Sequence, residues 1–241
     1  MKLALFGHGR MGRVVAEHAR RSGHEIGVVL TSRDAALPPD GLAERLKNHD
    51  AGLDFSVPQG IVARAEACAR AGVPLVTGTT GWHAERDAVR RAVERSGGAL
   101  VHGANFSPGV HVLYRLVARA GELFGALEGY DAFIEEAHHA AKRDAPSGTA
   151  VRLREILARP LGKEVPVAST RAGHIPGIHR VGFDSTADTL VLVHTARSRE
   201  AFAMGALVAA RWVQGRRGMF AFEDVMEDIM TPKPPTPGDT G

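Results

Sequence analysis

A single cysteine, Cys68, in 241 residues rules out an intrachain disulfide and a cysteine-built metal site. A reducing, cytoplasmic setting is the expectation that follows. Aromatic residues make up only 5% of the chain, so there is little to stack on exposed nucleic-acid bases. No apolar run approaches the roughly 20 residues needed to cross a bilayer. The stretch Met1-Lys-Leu-Ala-Leu-Phe-Gly7 is too short in apolar length to read as a secretory signal. An excess of one charge sign is also missing, since 30 Lys plus Arg face 27 Asp plus Glu for a formal net charge of +3. The signs are mixed locally, as in Glu85-Arg86-Asp87 ahead of Arg90-Arg91. Without a basic stripe, no nucleic-acid partner is expected. A mild positive bias suits a small anionic ligand better.

What the chain does have is 44% hydrophobic residues, enough for a sizeable core of aliphatic side chains. Short apolar runs at Lys2–Phe6, Ile26–Leu30, Leu53–Ser56, Val73–Thr77 and Ala99–Val101 read as strands. Stretches of helical spacing separate them: Arg10–Ser22, a segment opened by Pro58 and closed by Gly72, and His83–Ser96. Strict alternation of this kind predicts an α/β fold with a Rossmann-like, doubly wound parallel sheet. The pattern then changes. A helix over Pro108–Phe124 leads to a strand over Tyr130–Ala137 and a helix over Ser147–Ala158. Strands follow over Ser169–Ile175, His179–Asp184 and Thr189–Ala196. The expected organisation is a dinucleotide-binding domain over residues 1–107, completed by 199–241, with a smaller α+β domain inserted over 108–198. A helix over Arg199–Val213 returns the chain to the first domain, and a proline-rich tail from Thr231 is expected to lack order.

Gly7-His8-Gly9-Arg10-Met11-Gly12 follows the first strand directly and opens a helix. In that context the three glycines suit a tight turn, close approach of backbone to a pyrophosphate and close helix–strand packing. An ordinary glycine turn is the alternative. The second strand ends in Leu30-Thr31-Ser32-Arg33, where an NAD site usually carries an acid for the ribose 2′-OH. Arg33 instead matches a 2′-phosphate, so NADPH is the preferred cofactor, with NADH as the alternative. A solvated surface arginine is the plainer reading of Arg33. Gly78-Thr79-Thr80-Gly81 and Gly103-Ala104-Asn105-Phe106 end the fourth and fifth strands. Both fall at the carboxyl edge, where ligands bind, so Gly78, Thr79, Thr80, Ala104, Asn105 and Phe106 join the candidate cofactor set.

His138, His139 and Lys142 lie within five positions, and Asp144-Ala-Pro-Ser-Gly-Thr149 follows at once. Only five residues of the chain are lysines, so a lysine beside two histidines stands out, and lysine gives up a proton more readily than arginine. Ser147, Gly148 and Thr149 at a helix start offer backbone N–H groups and two hydroxyls, a cradle for a carboxylate. A plain helix cap is the alternative. No metal site is expected, because adjacent histidines on a strand face opposite ways and no second acidic or cysteine cluster accompanies them.

The segment Glu136-Ala-His-His-Ala-Ala-Lys-Arg-Asp-Ala-Pro-Ser-Gly-Thr-Ala150 resembles the signature of dihydrodipicolinate reductases, enzymes of the diaminopimelate route to lysine. The similarity extends to Gly9-Arg-Met-Gly12, Asp54-Phe-Ser56, Gly78-Thr-Thr-Gly81, Asn105-Phe-Ser-Pro-Gly109 and Arg171-Ala-Gly-His-Ile-Pro-Gly177 with His179, so it covers most of residues 1 to 226. The resemblance implies nicotinamide-dependent reduction of a cyclic dicarboxylate and a homotetramer built through the sheet of the inserted domain. It implies His138 and Lys142 as proton donors, and His139, Lys142, Gly148 and Thr149 as carboxylate ligands. The chain departs from the family pattern in lacking an acid after the second strand, in Ile178 before His179 and in Ala172 for a glycine. An aspartate- or homoserine-type dehydrogenase, or a dinucleotide-sensing module without catalysis, are the other readings of the same glycine loop.

Overall fold

The computed structural model describes residues 1–34 and 37–231, so the proline-rich tail beyond Thr231 lies outside the described residues. The chain divides into two compact units, one of Met1–Phe106 with the chain from Phe202 onward, the other of Ser107–Ala201.

The first unit is a six-stranded parallel sheet. Its strands are β1 (Lys2–Phe6), β2 (Glu25–Leu30), β3 (Ala51–Asp54), β4 (Leu75–Thr77), β5 (Ala99–His102) and β10 (Gly218–Ala221), in the order β10-β5-β4-β3-β1-β2. Successive side chains of a strand point to opposite faces, and β1 feeds both. Leu3 and Leu5 enter a core with Val15, Ala19, Ala206, Val213 and Phe222, which brings α1 (Arg10–Arg21), α7 (Glu200–Trp212) and α8 (Phe222–Met230) to that side. Ala4 and Phe6 enter a second core with Leu42, Leu46, Ile61, Cys68 and Val89, from α2 (Pro39–Leu46), α3 (Ile61–Ala71) and α4 (Arg86–Arg95). The sheet is therefore wound on both faces, as the alternation of the sequence predicts.

Several element limits differ from the sequence expectation, each for a local reason. β3 stops at Asp54 because the Asp54 carboxylate accepts from the Ser56 N–H and turns the chain. α3 begins at Ile61, not Pro58, after Gly60 takes a left-handed φ of +79°. The stretch from His83 is one 3₁₀ turn (His83–Glu85) followed by α4. The helices α2 and α8 and the strand β10 carry no strong signal in the sequence. β10 is four residues long and is held by its register with β5, Gly218 to Ala99 through Ala221 to His102.

The second unit holds a mixed sheet in the order β7-β6-β8-β9, from β6 (Asp131–His138), β7 (Val167–Arg171), β8 (Ile178–Asp184) and β9 (Thr189–Thr195). β6 and β7 run parallel and the other pairs antiparallel. β7 ends at Arg171 and not at Ile175, ahead of a turn in which Gly173 has φ +45°. Helices α5 (Pro108–Gly125) and α6 (Gly148–Leu161) supply Leu113, Val117, Leu153 and Leu157 to a core with Ala132, Ile134, Val181 and Phe183. Along β6 the same face continues from Ala132 and Ile134 to Glu136 and His138. The sheet face is thus apolar at one end and polar at the other. Among the described residues, no helix is long and apolar enough to cross a membrane.

Candidate active site

In the first unit the glycine loop has the geometry its spacing implies. Gly7 has φ +90°, and Gly12 is needed because a Cβ there would stand 2.4 Å from the Gly7 carbonyl oxygen. Gly9 caps α1, and no described residue lies within 4 Å of where its Cβ would be. No side chain caps this helix, and its first turn has no acidic residue. Its first N–H groups are therefore oriented toward any anion in that space, and the loop fits a pyrophosphate. His8 and Arg10 are exposed, while Met11 packs against the core, so any part it plays runs through its backbone.

At the end of β2, Arg33 is exposed. The nearby acid is committed elsewhere. Asp34 accepts from the Thr31 N–H at 2.8 Å and pairs with Arg45 at 3.2 Å, which holds its carboxyl below the usual range, chiefly through the Thr31 N–H. At the ends of β4 and β5, Thr79, Thr80, His83, Arg86, His102 and Ala104 line a concavity. Two residues assigned there from sequence turn inward. Thr79 is buried and its hydroxyl bonds Asp54, and Phe106 is buried against Phe222 with ring centroids 4.6 Å apart. Only their backbones are left to meet a ligand. Gly78 is also packed, since a Cβ there would collide with the Phe55 ring at 2.2 Å. Asn105 is half-buried.

The second unit gathers the polar residues at the end of β6. Glu136 is 2% exposed and carries the largest share of the contacts. Its carboxylate bonds His138 Nδ1, accepts from Arg171 at 2.9 and 2.6 Å, and accepts from the Ser147 N–H at 3.2 Å. Burial alone would raise the Glu136 pKa, but these hydrogen bonds, Arg171 first, bring it down to about 2. A carboxylate in that state only accepts, so His138 Nδ1 bears the proton and Nε2 is the outward nitrogen. Gly177 keeps that side clear, because a Cβ there would lie 3.3 Å from His138 Nε2.

Arg171 reaches Glu136 across the parallel pair in which His138 stands opposite Arg171. It also donates to the Asp144 carbonyl at 2.6 Å, tying the loop before α6 to the sheet. From β8, His179 stands opposite Glu136 and its Nε2 meets the Ser147 hydroxyl at 3.0 Å. Ser147 is the N-cap of α6, accepting from the Ala150 N–H at 3.2 Å. Burial, then the neighbouring His138, pushes the His179 pKa down to about 4. The exposed end of the cradle holds Lys142, whose ammonium contacts both oxygens of Asp144 at 2.8 Å. His139 and Thr149 are half-buried, and Gly148 is exposed with open space where a Cβ would be.

The residues proposed for chemistry from sequence, His138 and Lys142, and those for carboxylate binding, His139, Ser147, Gly148 and Thr149, thus lie on β6, the loop after it and the start of α6. Sequence reading missed Arg171 and His179, which come from other strands, and the engagement of Lys142 by Asp144. The spacing of two residues on a strand does place Glu136 beside His138, but it does not show that His179 joins them, and the three offer atoms within 4.8 Å of one another. Both Glu136 oxygens are engaged by the Arg171 guanidinium.

Comparison with known proteins bears on both units. The family description "Dihydrodipicolinate reductase, N-terminus" matches residues 1–106, and "Dihydrodipicolinate reductase, C-terminus" matches residues 109–226. A 4-hydroxy-tetrahydrodipicolinate reductase of Stenotrophomonas maltophilia is 40% identical over 242 residues, 94% of this chain and 98% of that protein. One from Christiangramia forsetii is 32% identical over 248 residues, 95% of this chain and 99% of that protein. Among solved structures, a dipicolinate-bound dihydrodipicolinate reductase from Paenisporosarcina shares the fold with a TM-score of 0.77 at 20% identity, covering 93% of this chain and 98% of that one. A C. glutamicum DAP dehydrogenase also shares it, with a TM-score of 0.56 at 13% identity, covering 97% of this chain and 96% of that one. The fold alone is therefore common to more than one activity.

Proposed function

The chain belongs to the dihydrodipicolinate reductase family, and from that premise we infer how its own residues carry the reaction. It is a nicotinamide-dependent oxidoreductase that reduces 4-hydroxy-tetrahydrodipicolinate, as the form that has lost water, to tetrahydrodipicolinate in the diaminopimelate route to lysine. We propose that the first unit holds the dinucleotide and the second the cyclic dicarboxylate. The glycine loop Gly7–Gly12 would hold the pyrophosphate, and the backbones of Gly78–Thr80 and Ala104–Phe106 would meet the nicotinamide. The nicotinamide, when bound, supplies a hydride to one carbon of the conjugated ring system. The remaining steps belong to protein side chains.

The observation that carries this reading is the buried Glu136 carboxylate bonded to His138 Nδ1. It orients Nε2 outward and steadies the imidazolium, so that His138, once protonated, delivers the proton that completes the reduction. Lys142 and the N-terminus of α6 would neutralise the substrate carboxylates. Asp144, more than half exposed, now holds Lys142, and a substrate carboxylate would take its place. Drawing charge toward Lys142 and the Gly148 and Thr149 N–H groups makes the ring a better hydride acceptor. The direct test follows the loss of reduced-nicotinamide absorbance with freshly generated substrate. No turnover with either NADPH or NADH would overturn the reading.

Of the two nucleotides, NADPH is the preferred one in this proposal, supported by exposed Arg33 and by Asp34 being engaged with Thr31 and Arg45. Arg33→Ala should then weaken NADPH by roughly ten- to a hundredfold, the loss of one charged hydrogen bond, and leave NADH nearly unchanged. Equal effects on both nucleotides would show that Arg33 does not read the 2′-phosphate. We further propose a cytoplasmic homotetramer assembled through the outward face of the second unit's sheet. Its support is the partly apolar character of that face, where Val193 is 56% exposed beside the Glu135–Arg180 pair.

A further inference from the structure

The segment Asp54-Phe-Ser56 has no part in the chemistry above, yet Asp54 is fully buried and pairs with a buried arginine. Arg64 Nε, from α3, lies 3.1 Å from Asp54 Oδ2. Two charges taken out of water gain little net stability from each other. What this pair does organise is the chain around it. Asp54 Oδ1 accepts from the Ser56 N–H at 3.1 Å, from the Ser56 hydroxyl, and from the Thr79 hydroxyl at 3.2 Å. Oδ2 also accepts from Thr77 Oγ1 at 3.2 Å. The Ser56 N–H donates as well to Thr79 Oγ1 at 3.0 Å. Arg64 donates to the carbonyls of Gln59 at 2.8 Å and Val57 at 2.6 Å, which pins the loop between β3 and α3 from within. On the other side, a Cβ at Gly7 would stand 3.0 Å from Ser56 Cα. β3 lies between β1 and β4 in the sheet. The loops that follow β3 and β4 therefore meet on one carboxylate, and the glycine loop after β1 packs against Ser56.

We propose that Asp54 and Arg64 are positioning residues for the dinucleotide. Acting through Ser56 and Thr79, they set the spacing between the glycine loop and the Thr79–Thr80 backbone. The Thr79 side chain is then a strut between loops and not a ligand. This rests on the dinucleotide reading of the first unit. A glycine loop followed by a helix binds pyrophosphate only if its backbone stays in place while the nicotinamide end is held elsewhere. A buried carboxylate is suited to fix the loops after β3 and β4, because each hydrogen bond lost leaves a buried charge less well satisfied.

Replacing Asp54 itself risks the fold, so the test uses the hydroxyls. Thr79→Val removes one strut at constant shape, Thr79→Ser keeps it, and Ser56→Ala removes another. Dissociation constants for NADPH and NADH are measured on the intact enzyme by nucleotide fluorescence. The substrate KM and kcat are measured at saturating nucleotide, and the melting temperature is recorded for each variant. Thr79→Val and Ser56→Ala should each weaken both nucleotides about tenfold, the effect of one hydrogen bond to a buried charge. The substrate KM and kcat should hold in Ser56→Ala, and Thr79→Ser should restore nucleotide affinity. Wild-type nucleotide affinity in Thr79→Val and Ser56→Ala would overturn the proposal. So would a Thr79→Ser variant as impaired as Thr79→Val, or nucleotide affinity lost only in step with substrate KM and melting temperature. A wild-type enzyme that binds neither nucleotide would instead overturn the dinucleotide reading beneath it.

Discussion

At His138, burial comes first among the influences that favour the neutral imidazole, joined by the charges of Lys142 and Arg171. The hydrogen bond and charge of Glu136 oppose them, and the balance lies below the ordinary histidine value. His179 faces the same ring at 5.1 Å. An acid of lowered pKa is protonated only at the acid side of neutrality, so kcat/KM should fall as pH rises through it. Two substitutions should move that limb in opposite directions. Glu136→Gln removes an influence that raises the pKa and should shift the limb to lower pH. Arg171→Gln removes one that lowers it and should shift the limb to higher pH. Limbs moving the same way would show that His138 is not the group observed. His138→Gln keeps a polar side chain but cannot donate to carbon or nitrogen as an acid. It should lower kcat by roughly 10²-fold or more with a smaller change in KM, and steady-state kinetics across pH on the folded variant would decide. The Glu136–His138 pairing was legible beforehand, because residues two apart on a strand share a face. Arg171 was not, since it lies 35 residues away and comes near only through the pairing of β6 with β7.

Between elements, β8 and α6 are joined by His179 and Ser147, with consequences for stability. The folded His179 pKa of about 4 lies below the ordinary histidine value of 6.5. Between those values the unfolded chain binds the proton more readily. The stability from keeping His179 neutral is therefore complete above about pH 6.5 and is lost as pH falls through 4, about 3 kcal/mol in all. His179→Gln keeps a hydrogen-bonding group toward Ser147 and does not titrate. Urea unfolding from pH 7 to pH 4 should show a shallower loss for the variant, and parallel curves would refute the assignment. In the first unit, the contact between β1 and α1 depends on Gly12. Gly12→Ala must push the helix from the Gly7 carbonyl, 2.4 Å from the new Cβ, and nucleotide titration should show NADPH and NADH both weakened. The role of Gly12 could be read from spacing, because the glycine loop is local. The short strand β10 could not, because four residues with no alternation are strands only by virtue of β5 beside them.

Across the molecule, the outward face of the second sheet predicts assembly. Arg180 lies between Glu135 and Val193 in the strand register, a mixed polar and apolar strip. Placing a charge there by Val193→Asp should dissociate the proposed tetramer in light-scattering measurements, and an unchanged mass would remove this face from the proposed interface. The wound parallel sheet was determined by the sequence itself, since alternating strand and helix periods dictate which faces must be buried. So were the glycine loop and the segment from Glu136 to Thr149, because their groups are neighbours along the chain. Tertiary structure alone decided that Arg171 and His179 flank Glu136, that Thr79 and Phe106 turn into the core, and that Asp54 meets Arg64. These are contacts between residues brought together by strand register and packing. A buried charge is satisfied by whichever partners the fold delivers, and no local pattern names them in advance.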